Sequence, residues 1–434
     1  MILPQGWVEI RIGDMAQYIN GKAFKPSEWE DSGLPIVRIQ NLNDDNAKYN
    51  YSRKTIEDKY KIKKGDLLFA WSASLGAYIW YGKDVWLNQH IFKVIPYRGI
   101  DKIFLYYVLV NTASLFYSKA HGSGMVHITK EPFESTKAIL PPFPEQQRIV
   151  AKIDSLFSEL DNGVTLLKTI KAQLAVYRQA VLKWAFDGKL TNSRLLKEEN
   201  LKKFIENPRY GTSKKCTSEN IATKVYRIPN INYQSGMILQ DDLKYAEFSE
   251  DENKSLQLKK DDILIIRSNG SVNLVGRASI VRDVDIDGLF AGYLMRLRII
   301  SNNLIPKFLL FYLSSPNARL YIETTAKSTS GVNNINSEEI CRLQLPYFDV
   351  SEQLAIVSAI ESRLSVCDKL EQTIDQTLAL SASLRQSILK KAFEGRLVTQ
   401  DPNDEPAEKL LERIKAEKAA VLAKQKQTRK RGKK

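Results

Sequence analysis

Cysteine is scarce in this 434-residue chain, and its scarcity excludes several classes of protein. The three cysteines are widely separated: Cys216, Cys341 and Cys367. With no CxxC pair and an odd number of thiols, the sequence predicts neither a disulfide framework nor a zinc site. The three histidines also lack the spacing of metal ligands: His90, His121 and His127. We therefore expect a protein of the reducing cytoplasm that binds no metal.

Long apolar runs and catalytic motifs are also missing. The longest apolar run, Ile103–Val110, is too short to span a bilayer, and Met1–Trp7 has no signal-peptide pattern. No GxxxxGK[ST] phosphate-binding loop occurs. Pro141–Phe143 (PPF) is similar to the motif of adenine methyltransferases, but Leu140 stands where Asn or Asp is required, and no glycine-rich loop for S-adenosylmethionine precedes it. The sequence predicts a binding protein that performs no catalysis itself.

A basic excess is the clearest bias of the composition. Lys and Arg number 64 against 50 Asp and Glu, which gives a formal net charge of +14. Half of this excess lies in residues 424–434, which contain seven Lys or Arg and no acidic residue. Residues 1–143 have a net charge of +4 (18 basic, 14 acidic), and residues 207–350 have +2 (18 basic, 16 acidic). Nucleic acid is a compatible partner, but a binding face on these segments has to come from local clustering.

The chain contains one long internal repeat. Glu145–Thr191 recurs as Glu352–Val398 with a constant offset and no gap (145 + 207 = 352). Identical pairs include Glu145/Glu352, Gln146/Gln353, Ile149/Ile356, Ile153/Ile360, Arg178/Arg385, Gln179/Gln386, Phe186/Phe393 and Gly188/Gly395. Two copies indicate a duplicated module rather than a solenoid.

Both copies of this repeat have the pattern of a long helix with an apolar heptad seam. Pro144 and Ser351 suit helix starts, and Gly188 and Gly395 suit C-terminal caps, whereas Asp161–Gly163 is typical of a helix break. The first seam consists of Ile153, Leu160, Leu167, Leu174 and Val181, with Ile149, Leu156, Ile170, Tyr177 and Trp184 as a second series. The second seam consists of Ile360, Ile374, Ile388, Leu370 and Leu384, with interruptions at Arg363, Thr377 and Ser381.

An apolar seam needs a partner helix. The core of a helix bundle is one solution. Two equivalent copies in one chain favour another, in which each copy supplies the partner of the other as an intramolecular antiparallel coiled coil. At about 1.5 Å per residue, such a helix is a rod of roughly 60 Å.

The segments outside the helices form a second, more divergent repeat. The predicted elements of residues 1–143 are strands at Leu34–Leu42, Asp66–Ala70 and Ile91–Ile95 and a helix at Lys102–Tyr117. In residues 207–350 the corresponding segments are Tyr226–Ile231 for Val37–Leu42, Lys260–Leu264 for Lys64–Leu68, and Gly331 for Gly124. The two helices are therefore predicted to have one common function. The two globular parts are predicted to have the same kind of function, each with a different target.

The predicted fold class is α+β, with two globular mixed α/β domains separated by two long helices and an internal pseudo-twofold duplication. The predicted division is domain 1 (residues 1–143), a central helical region (144–206), domain 2 (207–350), a C-terminal helical region (351–423) and a basic tail (424–434). We expect a charged connector at residues 192–206, a further charged helix at 401–423 and disorder at 424–434.

The sequence resembles the specificity subunits of type I restriction-modification systems, the HsdS family. The resemblance rests on two helix ends, RQAVLKWAFDGKLT (178–191) and RQSILKKAFEGRLV (385–398), and on LPQGWVEIRIGD (3–14), PPFPEQQRIVAKID (141–154) and RYGTSKK (209–215). It covers nearly the whole chain. It implies that each globular domain is a target-recognition domain reading one half of a bipartite, asymmetric DNA site. It also implies that the two helices pack antiparallel and set the spacing between the half-sites.

The same resemblance implies partners and cofactors. The helices are expected to dock two modification subunits, which carry adenine methyltransferase activity and S-adenosylmethionine. Two restriction subunits, with ATP, Mg²⁺ and nuclease activity, are expected to complete the complex. This chain is then the non-catalytic subunit that binds double-stranded DNA and holds no cofactor or metal of its own.

Candidate DNA-reading residues follow from the chemistry of base edges, where Arg or Lys suits guanine and Asn or Gln suits adenine. The candidates in domain 1 are Arg38, Gln40, Asn41, Trp71, Ser72, Ser74, Asn88, Gln89, His90 and His121. The candidates in domain 2 are Lys214, Lys215, Arg227, Asn230, Arg267, Ser268, Asn269, Asn273 and Arg277. The Lys and Arg residues among them also suit phosphates, and such contacts position a protein without specifying sequence.

Two other interpretations stay open on the sequence alone. One is a DNA-binding regulator that acts without enzyme partners; it shares salt-dependent DNA affinity but needs no methyltransferase subunit. The other is a coiled-coil scaffold whose globular ends bind protein, which predicts no sequence-specific DNA binding. A self-sufficient restriction enzyme is disfavoured, because no methyltransferase or nuclease motif is present.

Overall fold

The computed structural model describes residues 3–44, 46–119, 126–192, 195, 197–220, 222–326 and 331–431. The chain divides into two units, residues 1–165 with 377–434, and residues 166–376. Each unit therefore contains one globular domain and one part of each of two long helices. Among the described residues, no helix combines the length and the apolar character needed to cross a membrane. The three cysteines are free thiols.

The first half of the chain alternates short strands with short helices before one long helix. Its elements are β1 (Val8–Arg11), α1 (Ile12–Met15), β2 (Ala16–Asn20), β3 (Leu34–Val37), α2 (Ile39–Asn43), β4 (Asn50–Ser52), β5 (Lys61–Ile62), β6 (Leu67–Ala70), β7 (Ser72–Ala73), β8 (Gly76–Ile79), β9 (Val85–Leu87), β10 (Ile91–Pro96), α3 (Lys102–Lys119), β11 (Val126–His127), α4 (Lys130–Glu134), β12 (Lys137–Leu140) and α5 (Phe143–Phe186).

The second half repeats this order and ends in two helices. Its elements are β13 (Lys197–Asn200), β14 (Arg209–Tyr210), β15 (Thr223–Tyr226), β16 (Ile231–Asn232), β17 (Met237–Ile238), β18 (Lys244–Ala246), α6 (Glu250–Leu256), β19 (Ile263–Ile266), β20 (Ser268–Asn269), β21 (Ala278–Ile280), β22 (Leu289–Phe290), β23 (Leu294–Leu297), α7 (Pro306–Leu313), α8 (Pro316–Thr325), β24 (Asn333–Asn334), α9 (Ser337–Cys341), β25 (Gln344–Tyr347), α10 (Val350–Phe393) and α11 (Ala407–Arg431).

Each globular domain is built on a sheet with four antiparallel strands, and in domain 2 this sheet continues into β17, which pairs parallel with β21. The sheet of domain 1 has the order β2-β10-β6-β8, and the sheet of domain 2 has β14-β23-β19-β21 followed by β17 and β16. The central strands β6 and β19 have the runs LLFA and ILII, which are buried along their whole length. Such short apolar runs are typical of strands covered on both faces.

The predicted elements of domain 1 are largely confirmed, with one exception. β6, β10 and α3 lie where the sequence places them, but the strand predicted at residues 34–42 ends at Val37 and is followed by α2. The strand ends there because the side chain of Asn41 accepts a hydrogen bond from the backbone N–H of Arg38 (3.0 Å). This bond turns the chain into the short helix.

The two long helices begin and end at equivalent positions. α5 begins at Phe143 and α10 at Val350, and both end at a phenylalanine that precedes a turn closed by Gly188 or Gly395. Both glycines have a positive φ, 72° and 69°, which is the conformation of a C-terminal helix cap. The predicted caps are thus confirmed.

A break at Asp161–Gly163 was expected from the sequence, but α5 runs through these residues without interruption. A glycine inside a helix costs only about 1 kcal/mol relative to alanine. Asp161 itself forms an ion pair with Arg385 of α10.

The inward face of α5 differs in part from the predicted seam. Ile149, Ile153 and Val181 are buried as predicted, but Tyr177 and Trp184 are 40% and 46% exposed. A straight α-helix drifts by about 20° per heptad relative to a 3.5-residue repeat. After several heptads this drift turns the last two members of the second series, Tyr177 and Trp184, away from the buried face of α5.

The same shift occurs in α10. Ile360, Ile374 and Ile388 are buried, and Cys367 occupies the seam position between the first two. Leu370 and Leu384, which the heptad pattern assigns to the seam, are 47% and 50% exposed. The heptad pattern is therefore wrong for these two leucines, because an α-helix drifts relative to strict steps of seven residues.

The C-terminal helix α11 packs against domain 1. Ala407, Leu410 and Ile414 belong to the core of the first unit, and the Nζ of Lys418 donates to the carbonyl of Gly13 (2.9 Å). The predicted charged helix is confirmed with a later start. Disorder from residue 424 is wrong as far as residue 431, because α11 continues to Arg431. A helix anchored at one end is extended cooperatively through the good helix formers that follow.

The repeated glutamine, Gln146 or Gln353, ties the start of each long helix to its own domain. Gln353 is fully buried; its Oε1 accepts from the N–H of Ile305 (2.9 Å), and its Nε2 donates to the carbonyls of Asn303 (2.9 Å) and Phe348 (2.8 Å). Gln146 makes the equivalent set of bonds in domain 1. The repeat of these residues therefore has a structural cause.

Replacing this glutamine should destabilise the second unit. We expect Gln353→Leu to lower the free energy of unfolding by about 2–4 kcal/mol, because it leaves one buried N–H and two carbonyls without partners. Urea unfolding followed by circular dichroism measures the loss. Gln376→Leu, at an exposed position of the same helix, is the matched control and should change the free energy by less than about 0.5 kcal/mol. Equal effects of the two substitutions would contradict the role assigned to Gln353.

Candidate nucleic-acid interface

Three side chains of domain 1 meet where three strands end or begin. β2 ends at Asn20, Trp71 follows β6, and His90 precedes β10. Because β2 and β6 both pair antiparallel with β10, these strand ends lie together. The Nε1 of Trp71 donates to the Oδ1 of Asn20 (3.2 Å), and the rings of Trp71 and His90 lie 5.3 Å apart. We name Asn20, Trp71 and His90 platform 1.

Backbone hydrogen bonds fix the position of platform 1. The N–H of Trp71 donates to the carbonyl of His90 (3.2 Å), and the carbonyl of Trp71 accepts from Ile128 (3.1 Å). The next residue, Ser72, lies in β7, which pairs with β11, and its side chain is buried. The candidate Trp71 is thus held on both sides by strands from distant parts of the sequence.

Three more candidates lie beside platform 1. Ser74, Asn88 and Gln89 are all partly exposed. The Nε2 of Gln89 lies 3.1 Å from the Nε2 of His90. The backbone N–H of Asn88 donates to the carbonyl of Val37 (3.3 Å), which connects this loop to β3. The remaining candidate of this region, His121, lies outside the described residues.

Domain 2 has a platform of the same construction. β14 ends at Tyr210, Arg267 follows β19, and Tyr293 precedes β23. The guanidinium carbon of Arg267 lies 4.4 Å from the ring centroid of Tyr210, and its Nη1 donates to the carbonyl of Gly292 (3.1 Å). Tyr293 is 63% exposed. We name Tyr210, Arg267 and Tyr293 platform 2.

The candidates Ser268 and Asn269 extend platform 2. They form β20, which pairs with β24, and both are partly exposed. The carbonyl of Arg267 accepts from the N–H of Ile335 (2.9 Å). The Oδ1 of Asn269 accepts from the N–H of Ser271 (2.8 Å). The amide nitrogen is then the group of this side chain that can donate to another partner.

Asn41 and Asn230, both selected from the sequence as base readers, are buried and bind the backbone. The Oδ1 of Asn41 accepts from the N–H of Arg38 (3.0 Å), and its Nδ2 donates to a loop carbonyl (3.1 Å). The Oδ1 of Asn230 accepts from Arg227 (2.8 Å), and its Nδ2 donates to another loop carbonyl (2.8 Å). With both ends of each amide used within the domain, these two residues hold loops in place and are not positioned to read bases.

The remaining polar candidates of domain 1 and their counterparts lie next to these asparagines. The guanidinium of Arg38 lies 5.4 Å from the ring centroid of Trp29, and Gln40 is exposed. In domain 2 the Nη2 of Arg227 forms an ion pair with Asp242 (2.7 Å). A DNA contact by any of the three stays a prediction.

Two candidates of domain 2 lie beside α8. The Nε of Arg277 donates to the carbonyl of Asn273 (3.1 Å), and its guanidinium lies 4.8 Å from the ring centroid of Tyr233. Burial, and secondarily the charge of Arg319, lowers the pKa of Arg277. The charge of Arg319 is itself balanced by an ion pair with Glu323 (2.8 Å), so a DNA contact by Arg277 or Asn273 stays a prediction.

Lys214 and Lys215, the last two candidates, lie on the loop after β14. The Nζ of Lys214 forms an ion pair with Glu252 (2.7 Å) and lies 5.0 Å from the ring centroid of Phe248. Lys215 is exposed. An exposed lysine on a polar loop suits a phosphate contact better than base reading.

Sequence reasoning selected Trp71, His90 and Arg267 but missed three platform residues: Asn20, Tyr210 and Tyr293. The sequence did contain one usable signal. The two domains share a glycine after the first strand of the sheet, at positions 21 and 211, and matching these glycines places position 20 opposite position 210. Position 293 could be found only from the strand pairing.

Comparison with known proteins gives this geometry a family. The family model described as "Type I restriction modification DNA specificity domain" matches residues 4–175 and 201–380. The chain is 28% identical over 457 residues to the type I restriction enzyme EcoKI specificity subunit of Escherichia coli (strain K12), covering 96% of this chain and 97% of that protein.

Solved structures share the fold. A chain from a structure concerned with complex assembly and conformational transition of the type I R-M system is 19% identical, with a TM-score of 0.68, and the match covers 91% of this chain and 100% of the other. The crystal structure of the HsdS subunit from Thermoanaerobacter tengcongensis is 18% identical, with a TM-score of 0.59, and the match covers 91% and 98% of the two chains. Each of the two matches to the family model includes one platform. The chain therefore belongs to the family of type I restriction-modification specificity subunits, which are the non-catalytic components that give these systems their DNA sequence recognition.

Proposed function

We propose that each globular domain reads one half of a bipartite, asymmetric DNA site. The observation that carries the proposal is the presence of two platforms of one construction that display different side chains, Asn20, Trp71 and His90 in one and Tyr210, Arg267 and Tyr293 in the other. One framework with two sets of reading groups suits two unlike half-sites. The indole, imidazole, phenol and guanidinium groups involved all suit base edges or base stacking.

We further propose that α5 and α10 form an antiparallel coiled coil. Three ion pairs support this arrangement: Asp161 with Arg385 in the first unit, and Lys171 with Asp375 (2.6 Å) and Arg178 with Asp368 (2.6 Å) in the second. In each pair the residue numbers have the same sum (161 + 385 = 171 + 375 = 178 + 368 = 546). A constant sum is the relation expected for helices that run in opposite directions.

Two of these ion pairs are copies of each other, which supports an internal pseudo-twofold relation. Adding 207 to Asp161 gives Asp368, and adding 207 to Arg178 gives Arg385. The pair of Asp161 with Arg385 thus becomes the pair of Asp368 with Arg178 when the two copies are exchanged. A twofold-related pair of modules offers equivalent surfaces to two copies of one partner.

The outer surface of the helices supports docking of modification subunits. Large apolar side chains are exposed there: Leu166, Val176, Tyr177 and Trp184 in α5, and Leu354, Val366, Leu370, Leu380 and Leu384 in α10. Exposed apolar side chains are suited to contact a partner protein. We propose that two modification subunits, which supply adenine methylation with S-adenosylmethionine, bind here. Two restriction subunits that use ATP and Mg²⁺ then complete the assembly.

Deleting the chain from its source cell tests this function. We expect adenine methylation at one bipartite motif to disappear from the genome and to return when the full chain is supplied again. The purified chain alone should transfer no methyl groups to that DNA, because it requires its modification subunits. Single-molecule sequencing of the genome, which detects methylated adenine, gives the motif directly.

Two outcomes would contradict the proposal. Methyl transfer by the purified chain, free of partner subunits, would show that it is itself an enzyme. A genome whose methylation is unchanged by the deletion would favour the regulator that acts alone.

A further inference from the structure

The platforms correspond to each other position by position. The N–H of Trp71 donates to the carbonyl of His90 (3.2 Å), and the N–H of Arg267 donates to the carbonyl of Tyr293 (2.9 Å). These two bonds lie at equivalent points of equivalent strand pairs. Trp71 follows β6, and Arg267 follows β19. Position 71 therefore corresponds to 267, and position 90 to 293.

The third pair of positions follows from the glycines. The N–H of Gly21 donates to the carbonyl of Ile91 (3.1 Å), and the N–H of Gly211 donates to that of Leu294 (3.3 Å). A side chain at either glycine would collide with a backbone carbonyl, that of Asn88 for Gly21 and that of Phe290 for Gly211. Both domains thus require glycine there, and the residues before the glycines, at positions 20 and 210, occupy the same place.

Positions that support the framework carry the same residue in both domains. Asn41 and Asn230 close the same turn, as described above. Asp66 accepts from the N–H of Lys63 (2.8 Å), and Asp262 accepts in the same way from Lys259 (2.7 Å). The chemistry of these positions is therefore set by the backbone that they hold.

The three platform positions, in contrast, all carry different residues. Trp71 contacts Asn20 and His90, the guanidinium of Arg267 lies over the ring of Tyr210, and Tyr293 is 63% exposed beside them. Where two platform side chains touch, a change of one alters the surroundings of the other.

We propose that the paired positions 20/210, 71/267 and 90/293 determine the two half-sites, and that Arg267 reads a guanine in the half-site of domain 2. The inference rests on the proposed function, because it requires each domain to contact DNA. The guanidinium lies over the ring of Tyr210 and is oriented by the carbonyl of Gly292, and a guanidinium held in place can match the O6 and N7 of guanine. Trp71 at the equivalent position has one N–H, which already donates to Asn20.

A phosphate contact is the alternative role for Arg267, and Arg267→Lys separates the two. Lysine keeps the positive charge that a phosphate needs but loses the planar pair of donors that guanine needs. For a guanine reader we expect the domain 2 half-site to lose its requirement at one G·C pair. Discrimination there should fall by about 5- to 150-fold, the range for one bidentate contact. The other half-site should stay unchanged.

In the source cell, the chromosomal gene for this chain is replaced by the gene for the variant. The measurement is the DNA motif that is then methylated. Arg342→Lys is the matched control, since Arg342 is an exposed arginine of the same domain, and its side chain is paired, among the described residues, with Glu338 of the preceding helix α9. An Arg267→Lys motif identical to that of the control, with equal discrimination at every position, would overturn the assignment. If the unsubstituted strain has no bipartite methylated motif at all, the proposed function itself is refuted.

A triple substitution tests the set as a whole. Tyr210→Asn, Arg267→Trp and Tyr293→His together place the residues of platform 1 on the framework of domain 2. We expect the domain 2 half-site to change while the domain 1 half-site and the spacer persist. An active triple variant with the original motif would overturn the proposal. If the triple variant does not fold, the single lysine substitution decides.

Discussion

Exchanging domain 2 for the corresponding domain of another specificity subunit is expected to replace one half of the methylated site and nothing else. The reason is that platform 2 is built entirely from residues of the second unit, and platform 1 entirely from residues of the first. The expected effect is complete: the old half-site is no longer methylated, and the new one is. Sequencing of methylated adenines in a cell that carries the chimaera together with its modification subunit measures both.

The structure indicates where the exchange has to be made. A graft of residues 207–350 leaves β13 behind, although β13 pairs with β25 over its whole length. Leu201, Phe204 and Ile205, just after β13, are buried in the core of the second unit. We therefore expect a graft of residues 197–349 to be more stable than a graft of residues 207–350, as measured by thermal unfolding.

The domain exchange has a control and two outcomes that would contradict the prediction. The reciprocal graft of domain 1 should change the other half-site, which excludes a general effect of grafting. If either graft altered both half-sites together, the two domains would not be independent readers. A chimaera that keeps the old motif would place recognition outside the grafted segment.

The long helices could be predicted because their signal is local and repeated. The 44-residue length, the equivalent ends and the two glycine caps all follow from residues close together in sequence. The direction of individual side chains could not be predicted equally well. Tyr177 and Leu384 lie at equivalent positions of the repeat, and both are exposed because an α-helix turns by about 20° less per heptad than a strict seven-residue repeat requires.

The platforms lay beyond sequence reasoning for a different reason. Asn20 and Trp71 are 51 residues apart, and their contact depends on the strand order β2-β10-β6. Strand order is a tertiary property that alternation of apolar residues does not encode. The same limit explains Asn41 and Asn230, since an exposed reader and a buried turn residue look alike in sequence.

Lengthening both long helices by one turn is expected to change the length of the DNA spacer. The reason is that both helices continue from one unit into the other. The register of the ion pairs indicates the matching points. Ile170 and Lys171 in α5 stand opposite Gln376 and Asp375 in α10 (170 + 376 = 171 + 375 = 546). Four residues inserted after Ile170 and four after Asp375 therefore extend both helices at one level.

The paired four-residue insertion is expected to lengthen the DNA spacer by one or two base pairs and to leave both half-sites unchanged. Four residues add about 6 Å of helix and overshoot one turn by only about 40°, so the apolar faces stay together. DNA rises by about 3.4 Å per base pair, which converts 6 Å into roughly two base pairs. Paired two-residue insertions are the matched control; they rotate the faces by about 200° and should abolish methylation. The methylated motif of the variant strain is the measurement, and an active four-residue variant with the original spacer would show that the helices do not set the distance.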